Sequence, residues 1–211
     1  MAELFGAKPS VGIIVPMLVA CDLTVYPIFR RYSSWKEVWL LLPPTLAGLI
    51  AGYFLLNYID DSTARKGIGV IILLMLILQI IRLKLGQRLS QMTHSASFKW
   101  ASGLLIGTST IMANAAGPVF SIYALVKKMT KETFLGVGAR CFLLLNIIKL
   151  PMVAHLELID EQSLRINLIV LPALLAGIFI GRKVIRIIPQ RGFEILLYTF
   201  SAIAGLRLCF F

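Results

Sequence analysis

Between Gly107 and Val126 the run GTSTIMANAAGPVFSIYALV sets three hydroxyls, an amide and a Gly-Pro pair inside an otherwise oily stretch. Thr108, Ser109, Thr110 and Asn114 can bond the carbonyls and amides that a helix break sets free. Gly117 supplies a permissive turn, and Pro118 suits the first position of a new helix, where its missing N–H costs nothing. A helix that starts in mid-run presents free amides and the positive end of its dipole, a chemistry for holding an anion. A kinked packing helix is the plainer reading of the same residues. Further along, Arg140 and Lys149 flank Asn146 inside another apolar run, and the three are fit to neutralise an anionic substrate. Each cation also lies about two turns from an expected membrane surface, within reach of snorkelling. Asp22 sits deep in the first apolar run, where a charge costs about 2.5–3.5 kcal/mol on insertion scales. Two roles fit it: pairing with another helix, and coupling to protons.

Other chemistries lack their residues. The sequence shows no paired carboxylates, zinc spacing, phosphate-cradling glycine loop, or Ser or Cys poised beside a histidine. His94 falls in a basic loop and His155 at a segment end. Cys21, Cys141 and Cys209 are odd in number and sit in apolar runs, as packing residues do. The reading is of a protein that is not an enzyme and uses no cofactor or metal.

These residues need elements to position them. Of 211 residues, 58% are hydrophobic, more than a soluble core of this size hides. Apolar runs recur at roughly 9–29, 38–59, 67–83, 100–126, 134–156, 168–188 and 193–211, most of them near the roughly 20 residues that span a bilayer as a helix. An all-α, polytopic integral membrane bundle is predicted, with lipid as its principal partner. The opening MAELFGAKPS has no apolar core, so no cleavable signal peptide is expected.

The net charge of +11 is spread over short loops, where it sets orientation and argues for no nucleic-acid partner. Arg30, Arg31 and Lys36, then Arg82, Lys84, Arg88 and Lys99, then Lys127, Lys128 and Lys131, then Arg182, Lys183, Arg186 and Arg191 mark cytoplasmic loops. Asp60 and Asp61, and Glu157, Asp160 and Glu161, mark outside ones. The loops before and after 100–126 are both basic, so that run is expected to enter and leave on one face as a re-entrant hairpin of two half-helices, 100–110 and 118–127, each about 15 Å long. A single broken span has the same halves.

The chain also repeats itself. Leu42-Pro43-Pro44-Thr45-Leu46-Ala47-Gly48-Leu49-Ile50-Ala51-Gly52 aligns without a gap on Leu171-Pro172-Ala173-Leu174-Leu175-Ala176-Gly177-Ile178-Phe179-Ile180-Gly181. With a hairpin between them the copies take opposite orientations, the inverted repeat of many secondary transporters. The division is 1–88 for the first repeat and 89–211 for the second. Gly48-xxx-Gly52 and Gly177-xxx-Gly181 are read as ordinary close-packing helix positions. The first repeat contains no counterpart of the hairpin.

Gly103-Leu-Leu-Ile-Gly107-Thr-Ser-Thr-Ile-Met-Ala-Asn114-Ala-Ala-Gly117-Pro118, with Lys127-Lys128-Met-Thr-Lys131-Glu-Thr-Phe134 and Phe142-Leu-Leu-Leu-Asn146-Ile-Ile-Lys149-Leu-Pro151, resembles the second signature region of the sulfite exporter TauE/SafE family of bacterial permeases. Phe5-Gly-Ala-Lys8 and Val11-Gly-Ile-Ile-Val-Pro16 resemble the end of that family's first half. The resemblance implies a permease of two related halves in the bacterial inner membrane, moving sulfite, organosulfonates or similar small anions, with homo-oligomers open to it. The glycine-rich loop of the family's first hairpin is absent here. The alternative function is a non-transporting subunit or truncated remnant that needs a partner to supply that hairpin.

Overall fold

The computed structural model describes residues 7–33, 35–55, 60–85, 95–155 and 159–210. Among them eight α-helices follow one another: α1 (Ala7–Phe29), α2 (Trp35–Leu55), α3 (Asp61–Leu85), α4 (Ala96–Ala113), α5 (Ala116–Val126), α6 (Lys131–His155), α7 (Glu161–Ile187) and α8 (Gln190–Phe210), with a 3₁₀ turn, Arg30–Tyr32, after α1. Five stretches are long and apolar enough to cross a membrane: Gly12–Tyr32, Trp35–Leu55, Lys131–His155, Glu161–Ile187 and Gln190–Phe210. Prolines lie inside α1, α2, α6 and α7, as spans tolerate where neighbours and side chains satisfy the freed carbonyl. Large apolar side chains face outward, Ile169 at 78% and Ile187 at 82% exposure, which is the surface of a protein solvated by lipid. Glu157, His94, Arg88 and the boundary between 88 and 89 lie outside the described residues.

Helix starts follow capping chemistry. Asp60 Oδ2 accepts the Thr63 amide at 2.9 Å, and hydrogen bonding from Thr63 holds the Asp60 carboxyl below the usual carboxylate range. Asp160 opens α7 with a reciprocal box: its Oδ1 accepts the Ser163 amide at 2.7 Å, while its own amide donates to Ser163 Oγ at 3.1 Å. Ser95 Oγ accepts the Phe98 amide at the start of α4.

The chain forms two compact units. One comprises Met1–Ser34 and Leu135–Pro189, the other Trp35–Phe134 and Gln190–Phe211. Each draws on both halves of the sequence, so division by packing differs from division by internal similarity.

The first unit joins α1, most of α6, and α7. Gly136 of α6 leaves no room for a side chain against Ser33, whose Cβ lies 2.6 Å from where a Gly136 Cβ would stand.

The second unit is built on α2 against α4. A Cβ at Gly48 would collide with the Leu104 carbonyl, one at Gly107 with the Thr45 carbonyl, and one at Gly103 would lie 2.6 Å from Pro44. Glycines on both helices therefore bring the two backbones together. An aromatic series runs Phe98, Tyr123, Phe120, Phe134 and Phe193, neighbouring rings 5.1–6.4 Å apart. Gln190, at the start of α8, accepts the Lys131 amide on its Oε1 at 2.8 Å and donates from Nε2 to the Met129 carbonyl and to Glu194.

Candidate functional site

The predicted site residues divide between the two units, each described here by itself. Thr108, Ser109, Thr110, Asn114, Gly117 and Pro118 belong to the second unit; Asp22, Arg140, Asn146 and Lys149 belong to the first.

In the second unit the chain reverses at Asn114-Ala115. Phe98, near the start of α4, stacks on Tyr123, near the end of α5, with ring centroids 6.0 Å apart. An unbroken helix would hold those residues about 37 Å apart. The hairpin is real, but its details differ from the sequence expectation. Its arms are unequal, 18 residues in α4 and 11 in α5, because Thr108, Ser109 and Thr110 continue α4. Thr108 Oγ1 donates to the Leu104 carbonyl at 2.9 Å and Ser109 Oγ to Ile106 at 3.1 Å. Those hydroxyls serve carbonyls within the helix, as Ser and Thr do in apolar surroundings, and not the ones freed at the break.

The turn belongs to Asn114, whose φ of 49° and ψ of 29° are left-handed. Asparagine tolerates this conformation best after glycine. Main-chain amides close the end of α4: Asn114 onto the Thr110 carbonyl at 3.2 Å, Ala115 onto Ser109 at 3.0 Å. Gly117 and Pro118 lie inside α5, at its second and third positions rather than at its border. Pro118 still removes an amide that would find no carbonyl within the helix. The amides of Ala116 and Gly117 point from the N-terminal turn, and a carbon added at Gly117 meets nothing within 4 Å among the described residues. Ser121 Oγ donates back to the Gly117 carbonyl at 2.8 Å, and the buried Ser201 of α8 donates to the Pro118 carbonyl at 3.5 Å. Sequence reasoning passed over both serines, although a hydroxyl alone in an apolar run was the available signal.

In the first unit the polar residues inside the spans come together. Asn146 Nδ2 donates to Asp22 Oδ2 at 2.7 Å, joining α6 to α1 across 124 positions of sequence. Asp22 is 9%, Asn146 5% and Lys149 0% exposed. Lys149 follows Asn146 by three positions, on the same face of α6. Lys149 therefore does not snorkel to a surface. It is held inside, on the α6 face that carries Asn146. Arg140, two turns earlier on α6, donates to the Arg30 carbonyl at the end of α1, and at 3.5 Å to Gly136 of its own helix. A cation on carbonyls at a helix C-terminus is a cap, so Arg140 fixes the α1–α6 join.

Cys141 is buried, with Cys21 and Cys209 partly so, and all three are free thiols.

A family model described as sulfite exporter TauE/SafE matches residues 1–208. No curated protein and no solved structure matches.

Proposed function

Because the chain belongs to the sulfite exporter TauE/SafE family, whose members are membrane transporters, we propose that it is a secondary permease for small sulfur-containing anions, sulfite or organosulfonates, acting as a multi-pass protein of a bacterial inner membrane. The observation that carries this reading is the match over almost the whole chain.

Two features support it. Lys149 is a fully buried ammonium inside a span, and an intramembrane charge marks an ion or substrate pathway more often than a packing device. Within the second unit, the reversal at Asn114-Ala115 aims the N-terminal amides of α5 away from its helix, with Asn114, Ser109, Thr110, Gly117 and Pro118 around the turn, and such an end favours negative charge. Asn146 serves by orienting its neighbours and Arg140 by holding the helix join. The repeats, 1–88 and 89–211, are read as inverted with respect to one another, the arrangement that alternating access uses.

Purified protein in liposomes tests the reading. Saturable sulfite flux is expected, reduced at least tenfold by Lys149→Gln and several-fold by Asn114→Leu. Absence of flux for sulfite, taurine and methanesulfonate alike from well-folded protein would overturn it.

A further inference from the structure

We propose that Asn167 is a substrate-binding residue of the first unit: its Nδ2 donates to an oxygen of the sulfur oxyanion, and its Oδ1 accepts a hydrogen from a hydroxyl on that same anion. This rests on the permease reading and narrows its substrates to anions that carry a hydrogen-bond donor of their own, such as hydrogen sulfite and the hydroxyalkanesulfonates.

One spacing recurs in the three helices of that unit. Asp22 stands five positions before Pro27 in α1, Asn146 five before Pro151 in α6, and Asn167 five before Pro172 in α7. Proline has no amide to give the carbonyl four residues back, and its ring pushes that carbonyl aside. The carbonyls that lose their helical amide in this way belong to Leu23, Ile147 and Leu168, each the next residue after the polar one. Each helix is thus loosened by one turn at the point where it carries a carboxylate or a carboxamide.

Two of these polar groups complete one another, Asn146 Nδ2 donating to Asp22 Oδ2 at 2.7 Å. Asn167 is left over. Both polar atoms of its carboxamide are shut off from solvent, and neither has a hydrogen-bond partner among the described residues. Ser163, one turn earlier, is spent on the cap, its Oγ engaged with the Asp160 amide and carbonyl. Past Asn167 no polar side chain follows on α7 until Arg182.

A buried carboxamide without partners costs a span more than a leucine in its place, so a group from outside the chain is needed to complete it. Its depth suits a substrate. Lys149 lies six positions before the end of α6 and Asn167 six after the start of α7, about 9 Å of helix rise in each case. Consecutive spans cross in opposite directions, which sets the two residues at one level.

The carboxamide also selects the anion. It offers two hydrogens on nitrogen and an acceptor oxygen beside them. An anion with oxygens alone answers Nδ2 and leaves Oδ1 buried and unsatisfied, which is costly. An anion with a hydroxyl answers both. A resident water would answer both as well, and would leave the residue indifferent to the anion.

The test is calorimetric binding of methanesulfonate and hydroxymethanesulfonate, which differ by one hydroxyl, to the purified full chain. Wild type is expected to hold hydroxymethanesulfonate about threefold to tenfold tighter, the worth of one hydrogen bond. In Asn167→Leu that preference should vanish, with both ligands bound more weakly than by wild type. Ligand-free Asn167→Leu should melt no lower than wild type, since it removes a group that has no partner inside the protein. A lower melting temperature would show that the carboxamide has one and would overturn the proposal. So would a preference that survives in Asn167→Leu, a wild type that binds neither ligand, or one that binds both equally, the mark of a resident water. Sulfite flux in liposomes is scored apart: its absence removes the permease reading, while the binding preference still decides the site.

Discussion

Gly48 and Gly52 on α2, and Gly177 and Gly181 on α7, hold the same places in the internal repeat, yet their surroundings are opposite. In the second unit, α4 lies so close that a side-chain carbon at Gly48 meets the Leu104 main chain, and one at Gly52 stands 2.5 Å from Ile111 Cγ2. In the first unit, a carbon added at Gly177 or Gly181 meets nothing within 4 Å among the described residues. One Gly-xxx-Gly is an interface and the other is a bare stripe on the most lipid-facing helix. The motif encodes a helix with one small-residue face. Whether that face is used depends on a neighbour the motif does not specify.

Substitutions can sharpen or break this contrast. The largest effect is expected from Gly107→Leu or Gly48→Leu, where backbone stands in the way and nothing flexible can yield. The α2–α4 pair would have to separate, with a cost of about 3 kcal/mol or more, read as a steep loss of monodisperse protein on size-exclusion after heating. Gly52→Ala comes next. Its nearest obstacle is the end of the Ile111 side chain, with the Thr108 Cα at 3.0 Å, and partial adjustment should limit the loss to about 1–2 kcal/mol.

On the other side of the contrast, α7 relies on its own ends. Asp160→Ala removes a reciprocal cap and should cost about 1 kcal/mol, visible as faster amide exchange in the first turn of α7 than in wild type. The smallest effect, with the sign reversed, is expected for Gly177→Ala and Gly181→Ala. Each relieves a helix of glycine at no steric cost, leaving stability unchanged or higher by up to about 1 kcal/mol. A melting temperature that falls as far for Gly177→Leu as for Gly48→Leu would break the comparison.

Much of this fold could be read from the sequence, because apolar run length is a strong signal in a bilayer solvent. The runs near 38–59 and 134–156 became α2 and α6 with shifts of a few residues, and the run near 168–188 became α7, which starts seven residues earlier. The hairpin was legible from its polar centre and its basic flanks. Its turn was not, since Gly and Pro are the usual punctuation and drew the break to 117–118, while the chain turned at Asn114 and let Pro118 serve inside the first turn of α5. Thr108 and Ser109 read as break residues because nothing in a sequence distinguishes a hydroxyl that bonds its own helix from one that bonds a neighbour. Asp22, Asn146 and Lys149 could each be picked out as polar groups in apolar runs. That Asn146 reaches Asp22 could not, because the join spans 124 positions and lies in tertiary packing, to which local pattern is blind.

Lys127, Lys128 and Lys131 give trypsin three targets within five residues at the end of the hairpin. A protease needs several residues drawn out into an extended strand in its cleft. Here Gln190 holds the Met129 carbonyl and the Lys131 amide from the start of α8, and Lys128 is turned left-handed at φ 53°. The most basic stretch of the loop is thereby shut against digestion while α8 stays seated. Limited trypsinolysis then becomes a gauge of that one helix: cuts at these lysines report α8 leaving its place, before any other part of the molecule need have opened.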